Sequence, residues 1–263
     1  MVSFRQIYRF DGSAFDLVPG SLQQISVGQD GSVWGVNFVD QIYKFSGSAF
    51  VQIRGSLRSI SVGADGSTWG INSANEIYRF DGTEFLQVQG SLYGGISVGN
   101  SNAVWGLGNI NAQDGFFSAF EIYKLTSGVF QQVPGSLSQI AVGADGSAWG
   151  INIRGEIYSY DGAAFVEVPG ALETISVGTG NAVWGINSIG NIYRFDGAAF
   201  VQVPGSLAVI SVGADGSVWG INSSHEIYRF SGSAFVQVRG SLTTIAVGSG
   251  ANVWGLNNLD IPQ

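Results

Sequence analysis

Seven Trp residues, each followed by Gly, stand at Trp34, Trp69, Trp105, Trp149, Trp184, Trp219 and Trp254, with gaps of 35, 36, 44, 35, 35 and 35 residues. Three positions after six of them comes an Asn: Asn37, Asn72, Asn152, Asn187, Asn222 and Asn257. Gly108 takes that place after Trp105. A second polar series, Gln6, Gln41, Glu76, Glu121, Glu156, Asn191 and Glu226, stands just before an Ile-Tyr pair. Planar amides and carboxylates bind hydroxyl groups, and an aromatic surface takes the C–H face of a ring. Six sets of Trp, Asn and a neighbouring Gln, Glu or Asn are therefore candidate sites for a polyhydroxylated ligand. The sixth set draws Trp254 and Asn257 from one end of the chain and Gln6 from the other.

The residues leave a plainer assignment open at each position. A Trp repeated in every unit is also what packs one sheet against the next. The Asn is equally suited to capping a turn with its side chain. Arg9, Lys44, Arg79, Lys124, Arg194 and Arg229 follow the Tyr, with Ser159 breaking the series. They are donors for hydroxyls or merely exposed strand charges. The residue before each Gln or Glu is Arg5, Asp40, Asn75, Phe120, Gly155, Gly190 or His225. So varied a position reads as solvent-facing. One His and no Cys exclude a His-rich metal site and all Cys-based metal or redox chemistry, and no cofactor is expected.

These side chains need elements to position them. Around each Trp the chain spells four short runs rich in Val, Ile, Tyr, Phe and Trp, separated by Asp-Gly, Gly-Ser or Pro-Gly. A period near 35 suits helix pairs as well as propeller blades, but short β-branched and aromatic runs between turn residues are hairpin chemistry. In the Trp69 unit the strands are expected at 60–63 (a), 68–72 (b), 76–80 (c) and 85–88 (d). The fold class is all-β: a seven-bladed β-propeller of four-stranded antiparallel blades, forming a single domain over residues 1–263. The chain begins at strand c (6–10) and d (15–18) and ends at a (245–248) and b (253–257). Two N-terminal and two C-terminal strands should therefore share one blade and close the ring. Between Trp105 and Ile122 lie 17 positions where the other junctions have eight, placing an insertion at 108–120 in one b-to-c loop.

Hydrophobic residues make up 45% of the 263 and charged residues only 11%, enough for a sizeable core. No apolar run reaches membrane-spanning length, so no membrane insertion is expected. A formal net charge of −8, with basic residues spread one or two per unit, argues against nucleic acid. The first residues lack a basic start, an apolar stretch and a cleavage site, so a leaderless, cytoplasmic protein is expected.

The string Ser-Leu-x-x-Ile-Ser-Val-Gly-x-Asp-Gly-Ser-x-Trp-Gly-Ile-Asn, at 56–72 with Thr within it and again at 206–222, resembles the tectonin repeat. Across essentially its whole length the chain is similar to the fungal tectonin lectins. That resemblance implies a multivalent carbohydrate-binding propeller for O-methylated glycans, such as methylated mannose or fucose. It also implies a cytoplasmic defence role against invertebrates and bacteria. Asp65-Gly66-Ser67-Thr68-Trp69 is similar to the Asp-box turn of sialidases, but departs from it by one residue, and no unique pair of acids supports catalysis. No enzyme activity is expected. A propeller scaffold for protein–protein interaction is the alternative. Outer strands such as 50–53 and 235–238 alternate apolar and polar residues and offer edges for a homo-oligomer.

Overall fold

Short apolar runs broken by Asp-Gly and Ser-Gly turns fold into hairpins, and the chain forms seven four-stranded antiparallel sheets. The computed structural model describes residues 5–110, 119–180 and 182–258. In the Trp69 blade strand a is Ser59–Val62, b is Thr68–Ile71, c is Glu76–Phe80 and d is Phe85–Ser91, paired in that order. The expected propeller and its closure are both present. One blade takes c and d from Arg5–Phe10 and Phe15–Ser21, and a and b from Thr244–Ser249 and Asn252–Asn258. Arg5 lies opposite Asn258 and Arg9 opposite Trp254, so the two ends reproduce the b-to-c pairing that other blades make inside one hairpin. Most of the 108–120 insertion lies outside the described residues.

Burial peaks at strand b, alternates along strand a, and falls toward the outer edge. Strand b is buried at every position, as in Val33–Val36 and Thr68–Ile71, which is why it reads as an unbroken apolar run. Its Trp seals the gap to the next blade. Trp34 meets Phe80 and Phe85 edge to face, with ring centroids 4.7 and 5.7 Å apart, and Trp254 closes the ring on Phe45 and Phe50 at 4.8 and 5.8 Å. The Gly after each Trp is a packing requirement. A Cβ at Gly70 would stand 2.4 Å from Leu57 Cδ1 and 2.7 Å from the Ser59 carbonyl oxygen.

Strand d runs past its expected end at Val88. Val88 still pairs with Ile77, but Ser91 is the next partner of Glu76, so two residues bulge out of register. Gly90 at φ 128° accommodates the bulge. Pro19, Pro134, Pro169 and Pro204 lie in this stretch of other blades, and an outer edge has no further ladder for them to interrupt.

Near the axis, successive a strands are tied by Ser hydroxyls. Ser26 accepts the Val62 N–H at 3.0 Å, Ser61 that of Val98 at 3.2 Å and Ser97 that of Val142 at 3.1 Å. They surround a channel of about 80 Å³ walled by one Val per blade. The a-to-b turns come in two kinds. Asp30, Asp65, Asp145 and Asp215 lead Asp-Gly-Ser turns, whereas the Trp105, Trp184 and Trp254 blades have Ser101, Gly180 and Gly250 there, preceded by Asn100, Thr179 and Ser249. The outer oxygen of Asp65 accepts the Ser101 N–H, that of Asp145 the Gly180 N–H and that of Asp215 the Gly250 N–H. In return Asn100 and Thr179 donate to the carbonyls of Ala144 and Ala214. The two kinds alternate around the ring, except where the Trp34 and Trp69 blades both carry Asp.

Candidate functional site

The b-to-c turn brings the Asn and the following acid together. Asn72 Oδ1 accepts the N–H groups of Ala74 at 3.0 Å and Glu76 at 2.9 Å, so its first task is to cap the turn. Its amide then donates to Glu76 Oε2 at 2.6 Å, which also accepts the Tyr78 hydroxyl at 3.1 Å. Gln87 reaches the other oxygen, Oε1, at 3.2 Å. The cluster recurs as Asn222, Glu226 and Tyr228 and as Asn152, Glu156 and Tyr158. In the Trp34 blade it is Asn37, Gln41 and Tyr43, with an amide oxygen in place of the carboxylate. Asn187 caps the backbone of Ile189 and Asn191, and Gln6 accepts the Tyr8 hydroxyl while standing opposite Asn257 in the sheet.

These hydrogen bonds set the charge. The Asn222 amide, followed by the Tyr228 hydroxyl, holds the Glu226 carboxyl below its ordinary range. Burial, then the Glu226 carboxylate, pushes Tyr228 up, and Tyr78 is raised in the same way beside Glu76. The Glu226 cluster is an ionised carboxylate beside a neutral phenol donor. It can accept from a ligand hydroxyl without moving a proton.

The position before the acid is constrained, contrary to its varied composition. Asp40, Asn75 and His225 have φ of 62°, 66° and 64°, and Gly155 and Gly190 are also left-handed at 81° and 83°. Asn, Asp, His and Gly are the residues that tolerate this conformation. Their carbonyls accept the N–H of Leu57, Leu92, Leu172, Leu207 and Leu242, tying the turn to the segment that enters the next blade.

Clefts open between blades at this rim. One of about 240 Å³ is bounded by Pro134, Gly135 and Ser136 on one side and by Asn152, Arg154, Glu156 and Tyr158 on the other. A second, about 470 Å³, lies between Asn152 and Asn187, and a third, about 400 Å³, runs from Asn187 to Ser223. No Trp lines any of the three. All seven Trp are buried, and their sites lie toward the opposite end of the blade. There a groove of about 620 Å³ is lined by Trp184, Arg194, Asp196, Asp215 and Phe230. The predicted partners therefore meet through their side chains at Asn37, Asn72, Asn152 and Asn222, while the predicted Trp are buried away from these clefts and Trp184 lines a different one. The basic series also finds its place at this end: Arg9, Lys44, Arg79, Lys124, Arg194 and Arg229 lie over Trp rings of their own blades, 5.0 to 5.9 Å from the centroids. The register that pairs Trp69 with Arg79 was the available sequence signal.

The Tectonin domain matches the chain at residues 3–63, 40–119, 115–198 and 179–262. No curated protein matches it. Among solved structures, "YCF48 bound to D1 peptide" is similar at a TM-score of 0.55 and 15% identity, over 94% of this chain and 84% of that one. The WD40 β-propeller domain of Doa1 is similar at 0.60 and 10% identity, over 95% and 96%. An acylaminoacyl peptidase of Pyrococcus horikoshii is similar at 0.61 and 15% identity, over 88% of this chain but 48% of its own length. At such identities the likeness is one of fold alone.

Proposed function

The chain belongs to the tectonin family, and from that premise we propose that it is a multivalent carbohydrate-binding lectin. The observation that carries this reading is the recurrence of one polar cluster, Asn, Glu or Gln, and Tyr, at the inter-blade rim. A near-identical cluster in blade after blade suits many copies of one small ligand better than a single large one. Weak sites on one rigid ring gain strength together on a dense glycan surface. O-methylated mannose or fucose is the ligand class, since a rim cleft offers apolar Pro, Ala and Ile surface for a methyl group beside the acceptors. The proposed setting is cytoplasmic defence against invertebrates and bacteria. Self-association belongs to the same reading: Val51, Leu86, Val166, Val201 and Val236 are each about half exposed on outer strands, and an assembly would multiply valency.

A glycan array carrying O-methylated and unmethylated forms of the same sugars tests the proposal. Selective signal for the methylated forms is expected, with calorimetric saturation near six per chain. A blank array from folded protein favours an interaction scaffold. That second reading draws on the exposed, unit-specific tips of this face, Val39 at 70% and Ile189 at 75% exposure.

A further inference from the structure

The indole N–H groups are unequal in their hydrogen bonding. Trp254 Nε1 donates to Asn252 Oδ1 at 2.9 Å. Trp69 and Trp219 Nε1 are buried with no partner, a condition that folded proteins rarely leave unused. The residue two positions before the Trp accounts for the difference. Asn252 reaches the ring nitrogen, whereas Ser67 and Ser217 turn their hydroxyls to Asp65 and Asp215, at 2.6 Å each. Ala182, before Trp184, has no polar group, and there the 620 Å³ groove lies against both residues.

A cation lies over the ring in these blades. The Arg79 and Arg229 guanidinium groups stand 5.9 and 5.5 Å from the Trp69 and Trp219 ring centroids. Both side chains are exposed, and the one ion pair among the described residues, Arg154 with Glu156, involves neither. An aromatic face holds them, and they swing away without breaking a salt bridge. In the Trp149 blade Ser159 occupies the position of the Arg. Trp149 is also the most exposed of the seven, at 7% against 0 to 3%.

We propose that the a-to-b end of the blades, where the groove beside Trp184 opens, carries a second series of carbohydrate subsites, each taking one neutral sugar residue. The Trp Nε1–H donates to a hydroxyl or ring oxygen, the Phe of the next blade takes the C–H face, and the Arg is a lid that opens onto the ligand. The sugar class rests on the lectin reading. A neutral ligand is chosen because Asp196 and Asp215 outnumber Arg194 along the groove and disfavour an anion. On this proposal the Trp149 subsite, with Ser159 in place of the Arg, has no lid, the Trp69 and Trp219 subsites are lidded, and the Trp254 subsite is silent because Asn252 already holds its N–H.

Titration of the ¹⁵N-labelled full chain with methyl α-mannoside, methyl α-fucoside and their mono-O-methyl ethers tests this, following indole N–H and Asn side-chain signals together. The Trp149 indole signal should move at the lowest sugar concentration, Trp69 and Trp219 should follow, and Trp254 should stay. Ser159→Arg should raise the concentration for half-shift at Trp149 roughly fivefold, and Arg79→Ser should lower it at Trp69 by a similar factor. Both are changes near the outer surface that leave the core intact. Movement of the Asn72, Asn152 and Asn222 amides with all indole signals still leaves the rim lectin standing and overturns the second series. No movement of either kind overturns both.

Discussion

At the scale of single residues, the position before the rim acid shows how composition hides a constraint. Five of the seven residues there, Asp40, Asn75, Gly155, Gly190 and His225, differ in size and charge yet share tolerance of positive φ, while Arg5 and Phe120 do not adopt it. His225 is exposed and illustrates the cost. His225→Gly should leave stability nearly unchanged, whereas His225→Val should cost about 1–2 kcal/mol, because a β-branched side chain collides with its own carbonyl in that conformation. Urea titration of the two variants checks this. The Asn three positions after each Trp was legible as polar and recurrent, and its double role as turn cap and acid partner follows from hydrogen bonds within five residues. The pairing of Trp34 with Phe80 and Phe85 of the next unit was not legible, because no hairpin connects them and only blade stacking makes them neighbours.

At the scale of elements, the turns at the a-to-b end are acid-sensitive. Burial works against ionisation of Asp65, but hydrogen bonds from Ser67 and Ser101 outweigh it and hold its pKa down to about 2. In the c-to-d turn, the Glu84 and Thr83 N–H groups hold Asp81 at about 2 as well. Both values lie below the unfolded carboxyl at about 3.9. The stability these groups contribute is therefore complete above that value and drains away as pH falls through about 2. Melting temperature should fall steeply between pH 4 and 2, and less steeply in Asp65→Asn, whose amide oxygen still accepts at every pH. A melting series on both proteins reads the difference. Strands b and c were legible almost to the residue from their apolar runs. Strand d was not, since Pro-Gly reads as a strand terminator and only the free outer edge lets the strand continue through it.

At the scale of the whole molecule, closure carries the most weight. Sequence periodicity showed seven units, and the phase in which the chain starts and stops showed that one blade is shared. Arg5 and Asn258 are direct partners across the seam. A permutant that joins Asn258 to Arg5 through one residue, so that three residues separate Asn257 from Gln6 as they separate Asn72 from Glu76, and opens the chain between Ser21 and Gln24, should fold into seven unbroken blades. Its melting temperature should lie several degrees below the parent, because the new turn repeats an existing one but the cut falls beside Leu22, which is buried and donates its N–H to the Arg5 carbonyl. Removal of residues 5–21 should instead abolish cooperative melting, since it strips half a blade and leaves an inner edge bare.

The two kinds of a-to-b turn have a consequence of parity. Asp65, Asp145 and Asp215 each hand a carboxylate oxygen forward, and the blade after each gives an amide or hydroxyl to the next, so the ring is assembled from two-blade cassettes. Seven is odd, and the cassettes cannot close evenly. The mismatch falls where the Asp30 blade meets the Asp65 blade: Asp65 stands where Ser101, Gly180 and Gly250 answer the other carboxylates, and Asp30 lies against Gly66 instead. Three cassettes and one single blade describe the chain, and that seam is the place where the ring could lose or gain a blade with its remaining couplings intact.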